Sequence, residues 1–185
     1  YDAILNPPTQ GKKPLLGGSK PKPLVMVLFV LFVLLIVGIG AAVFSSLTSK
    51  DYSSITALAQ RQQEIVRVAT LGLKDAKDPA TLTYLATVKS VTQSEQNDTV
   101  DFLAKKSVKL STEQLSLKKD TSTDTALDTA AQNNTYDTAV LNKVNDLLTS
   151  YRKAASNVTG KSDTKSEKTL FSTLSQNAKT FTTVQ

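Results

Sequence analysis

Acidic side chains at helical spacing are the residues of this sequence best suited to chemistry. Two trios have such spacing: Glu95, Asp98 and Asp101, and Asp120, Asp124 and Asp128. Each trio would line one face of a helix and offer carboxylate oxygens to a divalent cation. Neither matches a calcium-binding loop, and Lys105 follows Asp101 at the spacing of a helical ion pair. The trios therefore indicate either a metal-dependent enzyme or, as is ordinary for surface helices, a solvated face.

The chain lacks the side chains that most catalysts use. Its 185 residues include no histidine and no cysteine. This removes the usual general base, the Ser-His-Asp arrangement, thiolate chemistry and zinc sites with nitrogen or sulfur ligands. The sequence also contains no glycine-rich phosphate-binding motif. We therefore predict that the protein is not an enzyme and has no catalytic residues, no metal-binding residues and no cofactor.

Arg67 is the candidate ligand contact, because it lies within the apolar run 65–69. A buried arginine can clamp a carboxylate ligand, as in helical sensor domains. Alternatively, its charged head reaches water along the edge of an apolar face. A functional arginine normally shares a pocket with other polar groups, so its surroundings decide between the two interpretations.

Residues 24–44 are a candidate membrane span, since none of these 21 side chains is charged or strongly polar. At a helical rise of about 1.5 Å per residue they extend roughly 31 Å, the thickness of the hydrocarbon core of a bilayer. Within the span, Gly38 and Ala42 have the spacing that lets two helix backbones approach closely. They form a candidate helix-association face in the membrane, although small residues are also simply common in spans.

The charges beside the span predict its orientation. Four lysines precede it: Lys12, Lys13, Lys20 and Lys22. Because lysines in short loops stay on the cytoplasmic side, we expect three parts in the cell membrane: a Pro/Gly/Lys-rich cytoplasmic tail (1–23), a transmembrane helix (24–44) and an extracytoplasmic domain (45–185). A cleaved signal peptide is the competing interpretation, but its apolar core would run only about 7 to 15 residues. Residues 45–185 carry 18 basic and 15 acidic side chains, too even a balance to predict nucleic-acid binding.

The extracytoplasmic domain is predicted to be all-α. Pro79 is its one proline, and no glycine lies between Gly72 and Gly160, too few turn formers for a β-rich or α/β domain of this size. Apolar residues recur at spacings of three and four in four segments: Ile55, Leu58, Ile65, Ala69 and Leu73; Leu82, Leu85, Val88, Val91, Val100, Leu103 and Val108; Val140, Val144, Leu147, Leu148, Tyr151 and Ala155; and Leu170, Phe171, Leu174, Ala178 and Phe181. This pattern predicts an antiparallel bundle of three to four helices, and its heptad-like spacing also permits a coiled coil.

Helix boundaries follow from capping residues. Asp78 and Pro79 suit the start of the second helix after a first helix that ends near Lys77. Ser111 and Gln114 have the spacing of a capping box. Gly160 is expected to end the third strong segment, and the pair 162–163 to start the last helix. Residues 92–99 form a polar stretch that is either a loop or a hydrated layer within one long helix, and residues 120–134 are either a loop or a marginal helix.

A resemblance rests on the N-terminal 75 residues. The stretches Asn6-Pro7-Pro8, Lys12-Lys13-Pro14-Leu15 and Pro21-Lys22-Pro23, followed by the span and by residues 58–65, resemble uncharacterised single-pass, membrane-anchored helical surface proteins of reduced-genome bacteria. The resemblance implies a bacterial envelope location and, for some such proteins, a role at the contact with another cell. It implies no site residues. The domain is also similar to the outer four-helix module of chemoreceptors, but a second span and a cytoplasmic signalling domain are missing from this sequence.

Three functions are compatible with the sequence. The first is a non-enzymatic structural or interaction module, a subunit of an envelope assembly or a cell-contact protein. Its expected partners are membrane lipid and other envelope proteins or further copies of itself, and an exposed apolar seam of several hundred Å² would support it. The alternative is a ligand-binding sensory ectodomain of the chemoreceptor-like four-helix type, which requires a polar pocket. A carboxylate-metal enzyme comes third, and requires the acidic trios to converge.

Overall fold

Helices make up nearly all of the described chain. The computed structural model describes residues 51–183, and every regular element in that range is helical: α1 (Ser53–Asp75), α2 (Pro79–Lys105), α3 (Thr112–Leu115), α4 (Thr121–Gln132), α5 (Tyr136–Lys161) and α6 (Lys165–Thr183), with one 3₁₀ turn (Ser116–Lys118) after α3. The predicted all-α class is thus confirmed for these residues. The predicted tail, the span 24–44 and its Gly38 and Ala42 lie outside them. Between residues 51 and 183, no helix has the length and apolar content needed to cross a bilayer.

Capping residues begin the helices largely as the sequence predicts. Asp78 is extended and accepts a 2.8 Å hydrogen bond from the backbone N–H of Thr81, which lowers the pKa of the Asp78 carboxyl. Both halves of the capping box between Ser111 and Gln114 are formed. The last helix differs from the prediction: Thr164, not the pair 162–163, caps it, because its Oγ1 accepts from the Glu167 N–H at 3.2 Å.

The four long helices pack as a bundle with antiparallel neighbours. α1 packs against α2 and α5, and α5 packs against α6. α6 also meets α2, since Tyr84 lies against Phe181 and Phe102 lies against Phe171, with ring centroids 6.3 and 5.5 Å apart. The start of α2 therefore lies beside the end of α6, and the end of α2 lies beside the start of α6. The two helices are antiparallel. The four long helices thus form an antiparallel bundle, and the described residues add two shorter helices, α3 and α4, that the predicted three to four did not include.

Residues 106–135, here called the crossover segment, connect α2 to α5. The segment holds α3, the 3₁₀ turn and α4, and it packs on α1 and α5. It must run the length of the bundle, because α2 ends beside the start of α1, where Tyr52 contacts Phe102, whereas α5 starts beside the end of α1, where the Tyr136 hydroxyl donates to the Leu71 carbonyl at 3.0 Å. The crossover segment therefore covers the side of α1 that faces away from the other long helices.

Most of the core comes from the predicted apolar stripes, but in the second stripe Leu82, Val91, Val100 and Val108 are only partly buried. The largest fully buried apolar side chains include members of all four stripes: Leu58, Ile65, Leu85, Val88, Leu103, Val140, Leu148, Tyr151, Phe171 and Leu174. Both segments left open by the sequence are helical: residues 92–99 continue within α2, and residues 120–134 contain α4. Helix α1 ends at Asp75 and α5 at Lys161, within two residues of the predicted ends.

Large hydrophobic side chains are rarely fully exposed on the described surface. Among residues 51–183, Leu117 is the one large hydrophobic side chain that is mostly exposed, with 74% of its surface accessible. A single such side chain is ordinary for a protein surface and does not mark an interface.

Candidate functional site

A buried polar layer joins all four long helices in the middle of the bundle. It consists of Gln62 on α1, Glu95 on α2, Tyr151 on α5 and Asn177 on α6. The Tyr151 hydroxyl donates to Glu95 Oε2 at 2.9 Å and accepts from Gln62 Nε2 at 2.8 Å. The Asn177 amide donates to Glu95 Oε1, also at 2.9 Å. Because Glu95 is only 6% exposed, and Gln62 and Tyr151 are fully buried, the two bonds of the Tyr151 hydroxyl form away from water, whereas the bond from Asn177 is partly buried.

Glu95 is the acidic residue of the polar layer, and its hydrogen-bond partners are uncharged side chains. Burial raises the pKa of Glu95, and the hydrogen bonds from Asn177 and Tyr151 offset this only in part. Burial and the neighbouring Glu95 carboxylate also raise the pKa of Tyr151. Gln62 Oε1 is buried without a hydrogen-bond partner. The layer can therefore take up a proton on Glu95 more readily than a solvated glutamate can.

The polar layer follows from the sequence of α2. Its inward positions recur at spacings of three and four, and they are occupied by Leu85, Val88, Thr92, Glu95, Thr99 and Leu103. The series of inward-facing positions thus continues through the polar stretch 92–99, where polar residues occupy it. Helix periodicity therefore places Glu95 on the buried side of α2. The spacing of these inward positions is the sequence signal that marks Glu95 as buried. The grouping of Glu95 with Asp98 and Asp101 in one acidic trio obscures this signal.

Arg67, the candidate ligand contact, lies between α1 and the crossover segment. Its Nε and Nη2 donate to the two carboxylate oxygens of Glu64, each at 2.8 Å. Its Nη1 donates to Asp124, and Nη2 donates also to the Asp120 carbonyl at 3.0 Å. The hydrogen bonds to Glu64 raise the pKa of Arg67, so the guanidinium stays charged. Four of its five N–H donors thus bind protein oxygens, and they join the crossover segment to α1.

The two acidic trios are divided among different surroundings. Glu95 is buried in the polar layer, whereas Asp98 and Asp101 are exposed. Asp120 pairs with Lys143 at 3.0 Å, and hydrogen bonds from Ser122 and Lys143 hold its pKa below the usual range. Within residues 51–183, no three acidic side chains group closely enough to hold a metal ion. In the described part of the chain, the convergence that a metal-dependent enzyme requires is not seen.

An open cleft of about 460 Å³ lies between the end of α2 and the start of α6. Charges of both signs line it, with Asp98, Asp101 and Lys105 on α2 and Glu167 on α6. Lys106 spans the cleft, since its Nζ lies 3.8 Å from Glu167 and 5.6 Å from the centre of the Phe102 ring. The cleft could accept a small zwitterion, but Arg67 is not among its lining residues.

Comparison with known proteins yields no relative for this chain: no family model, curated protein or solved structure matches it.

Proposed function

We propose that the chain is a single-pass membrane protein whose extracytoplasmic helical bundle acts as a non-enzymatic structural or interaction module. The observation that carries the proposal is the uninterrupted apolar stretch 24–44, long enough to cross a bilayer, with four lysines on one side. The helical unit that follows it, residues 51–183, has its own core on four long helices. An anchor followed by a self-contained bundle suits a protein that presents a helical surface outside the membrane.

The use of polar side chains in the bundle also supports a module rather than an enzyme. Arg67 binds Glu64, Asp124 and a backbone carbonyl. Glu95 binds Tyr151 and Asn177. Groups with unusual environments often belong to active sites, but structural networks perturb them equally well. Here each group joins one helix to another, which is a structural use.

Membrane fractionation followed by mild extraction tests this function. The full chain, produced in bacteria with an N-terminal tag, is expected to stay with the membrane in alkaline carbonate. Protease added to spheroplasts should remove residues 51–185 and leave the tag intact. After gentle detergent extraction we expect a defined assembly on size-exclusion chromatography. Release of the chain by carbonate would contradict the anchor, and recovery of monomer alone would contradict the assembly role.

The second candidate function is a ligand-binding sensory ectodomain, and the cleft beside Phe102 is the observation that favours it. Its opposed charges and its apolar lining residues Phe102 and Leu170 match the chemistry of a free amino acid. Thermal unfolding of the purified chain in millimolar amounts of each amino acid tests this alternative. A concentration-dependent rise in midpoint that Lys105→Gln abolishes would favour it over the structural module.

A further inference from the structure

We propose that the end of the bundle where α1 begins rests on the membrane surface and that its lysines contact anionic lipid headgroups. We call this end the base and define it as residues 51–53, 101–109 and 158–168. This inference rests on the proposed function, because it takes residues 24–44 to be a membrane anchor. It adds the surface with which the bundle meets the bilayer and the chemistry of the lipid that it meets.

Chain connectivity limits how far the base can lie from the end of the predicted span. Only residues 45–50 lie between the end of the predicted span and Asp51. Six residues extend at most about 20 Å, even when fully stretched. The opposite end of the bundle, here called the top (residues 72–81, 130–140 and 178–182), lies at the far end of α1, whose 23 residues extend about 34 Å. The base is therefore the end that the tether holds within reach of headgroups.

Contacts within the base bring segments that are distant in sequence to one surface. Tyr52, just before α1, packs edge-on against Phe102 of α2, with ring centroids 6.4 Å apart. Phe102 packs in turn against Phe171, and Lys106 reaches Glu167 of α6 at 3.8 Å. The ends of α1, α2 and α6 thus meet at the base, and the residues that flank them share one environment.

Charge distinguishes the base from the top. The base carries six lysines, all exposed: Lys105, Lys106, Lys109, Lys161, Lys165 and Lys168. Four carboxylates accompany them, whereas three basic and three acidic side chains occur at the top. One base carboxylate, that of Glu167, is buried and pairs with Lys106. The excess of exposed positive charge at the base complements the negative surface of a bilayer that contains anionic lipid.

Aromatic side chains at the base fit the same partner. Tyr52 and Phe102 are partly buried there rather than enclosed in the core. Aromatic rings with one apolar and one wet side are typical of the membrane–water interface. Lysines beside such rings are the combination expected of a surface that faces headgroups.

Lysine footprinting of the full chain in lipid nanodiscs tests this inference. Discs of phosphatidylcholine alone are compared with discs that contain one-third phosphatidylglycerol, and a neutral acetylating reagent is read out by mass spectrometry. We expect Lys161 and Lys165 at the base to react at least threefold more slowly in the anionic discs. Lys74 and Lys77 at the top should react equally in both, and high salt should abolish the difference.

Matched double variants isolate the charge of the base. Lys105→Gln/Lys109→Gln should remove most of the lipid dependence at Lys161 and Lys165, whereas the control Lys74→Gln/Lys77→Gln should leave it unchanged. All four lysines are exposed, so neither variant should disturb folding. Equal reactivity in the two kinds of disc, with the chain inserted, would overturn the inference but leave the anchor intact. Failure of the chain to enter either disc would overturn the anchor and this inference with it.

Discussion

The two sides of α1 hold polar side chains in opposite ways. On the inner side, Gln62 joins a network of neutral donors around the buried Glu95. On the outer side, Glu64 and Arg67 form an ion pair that binds the crossover segment. Arg67 keeps 19% of its side chain accessible, whereas Gln62 has none. One helix therefore packs against a low-dielectric interior on one face and a partly hydrated contact on the other.

The comparison indicates which contacts specify the bundle and which attach the crossover segment. A buried polar group is costly to leave unpaired, so the inner network favours one register of the four helices. A partly exposed ion pair contributes less, and salt weakens it. We expect changes on the inner face to lower the global free energy of unfolding, and changes on the outer face to loosen the crossover segment first.

Among the changes proposed here, loss of the Tyr151 hydroxyl should lower the free energy of unfolding the most. Tyr151→Phe keeps the ring but leaves Glu95 Oε2 and Gln62 Nε2 without their buried partner. We expect a loss of about 3 kcal/mol in the free energy of unfolding, measured by urea denaturation. Tyr136→Phe is the matched control, since its hydroxyl makes a single, partly buried hydrogen bond, to the Leu71 carbonyl. It should cost about 1 kcal/mol, and equal costs for the two variants would contradict the special role of the polar layer.

A methyl group at Gly72 should have the next largest effect. A Cβ there would lie 2.6 Å from Leu85 Cδ1 and 2.8 Å from Val140 Cγ2, and both side chains are fully buried. Overpacking of this inner-face contact should make Gly72→Ala about 2 kcal/mol less stable in thermal or urea unfolding.

Gly160 provides the control, because a Cβ there meets no atom within 4 Å. Gly160→Ala should stabilise the chain by about 0.5 to 1 kcal/mol, the ordinary gain of alanine in a helix. If Gly72→Ala were stabilising as well, this result would contradict the close packing of α1 against α2 and α5 at Gly72.

Removal of the outer ion pair should act locally. Arg67→Met leaves the Glu64 carboxylate, 4% exposed, without its cation, so we expect a loss of about 1.5 kcal/mol that shrinks in high salt. Hydrogen exchange should quicken in α4 before it does in α5. Arg61→Met is the control, since Arg61 donates to the Ser150 hydroxyl of α5 at 2.6 Å. Faster exchange throughout the bundle in Arg67→Met would remove the distinction between the two faces.

The ionisation of Glu95 should have the smallest effect and should depend on pH. Its pKa is raised in the folded state, so the folded chain binds the proton more tightly than the unfolded chain does. This contribution to stability is full below the unfolded value of about 4.5 and is lost as pH rises through the folded pKa. Glu95→Gln should therefore stabilise the chain by about 1 kcal/mol at neutral pH, since the amide avoids the cost of burying charge.

Urea denaturation of both chains across pH 4 to 8 measures this difference. The advantage of Glu95→Gln should disappear toward pH 4, where Glu95 is neutral in both states. In the Glu95→Gln chain, rotation of the Gln62 amide would turn the unpaired Gln62 Oε1 toward Tyr151. The Tyr151 hydroxyl could then donate to Gln62 Oε1 and accept from the amide introduced at position 95. An advantage that is constant with pH would show that Glu95 is not the titrating group.

Much of the fold could be predicted because helix periodicity is a local property. The stripes through Leu58 and Ile65, or Val140 and Leu148, are apparent from spacing alone and become the core. Asp78 with Pro79 and Ser111 with Gln114 begin helices through bonds that span only three residues. The sequence left residues 120–134 open between a loop and a helix because their apolar periodicity is weak. Helix α4 buries only Thr123, Leu127 and Ala130, too few apolar groups for a clear stripe.

The candidate site required the tertiary structure, because its bonds join residues far apart in the chain. Gln62 and Tyr151 are 89 residues apart, and Glu95 and Asn177 are 82 apart. Sequence alone determined an apolar stretch of span length, helical segments with their caps, and a chain without histidine or cysteine. Only the packing of four helices decided that Glu95 is enclosed rather than solvated and that Arg67 binds the crossover segment. Burial and partners of a polar side chain depend on which helices meet, and no local pattern encodes that meeting.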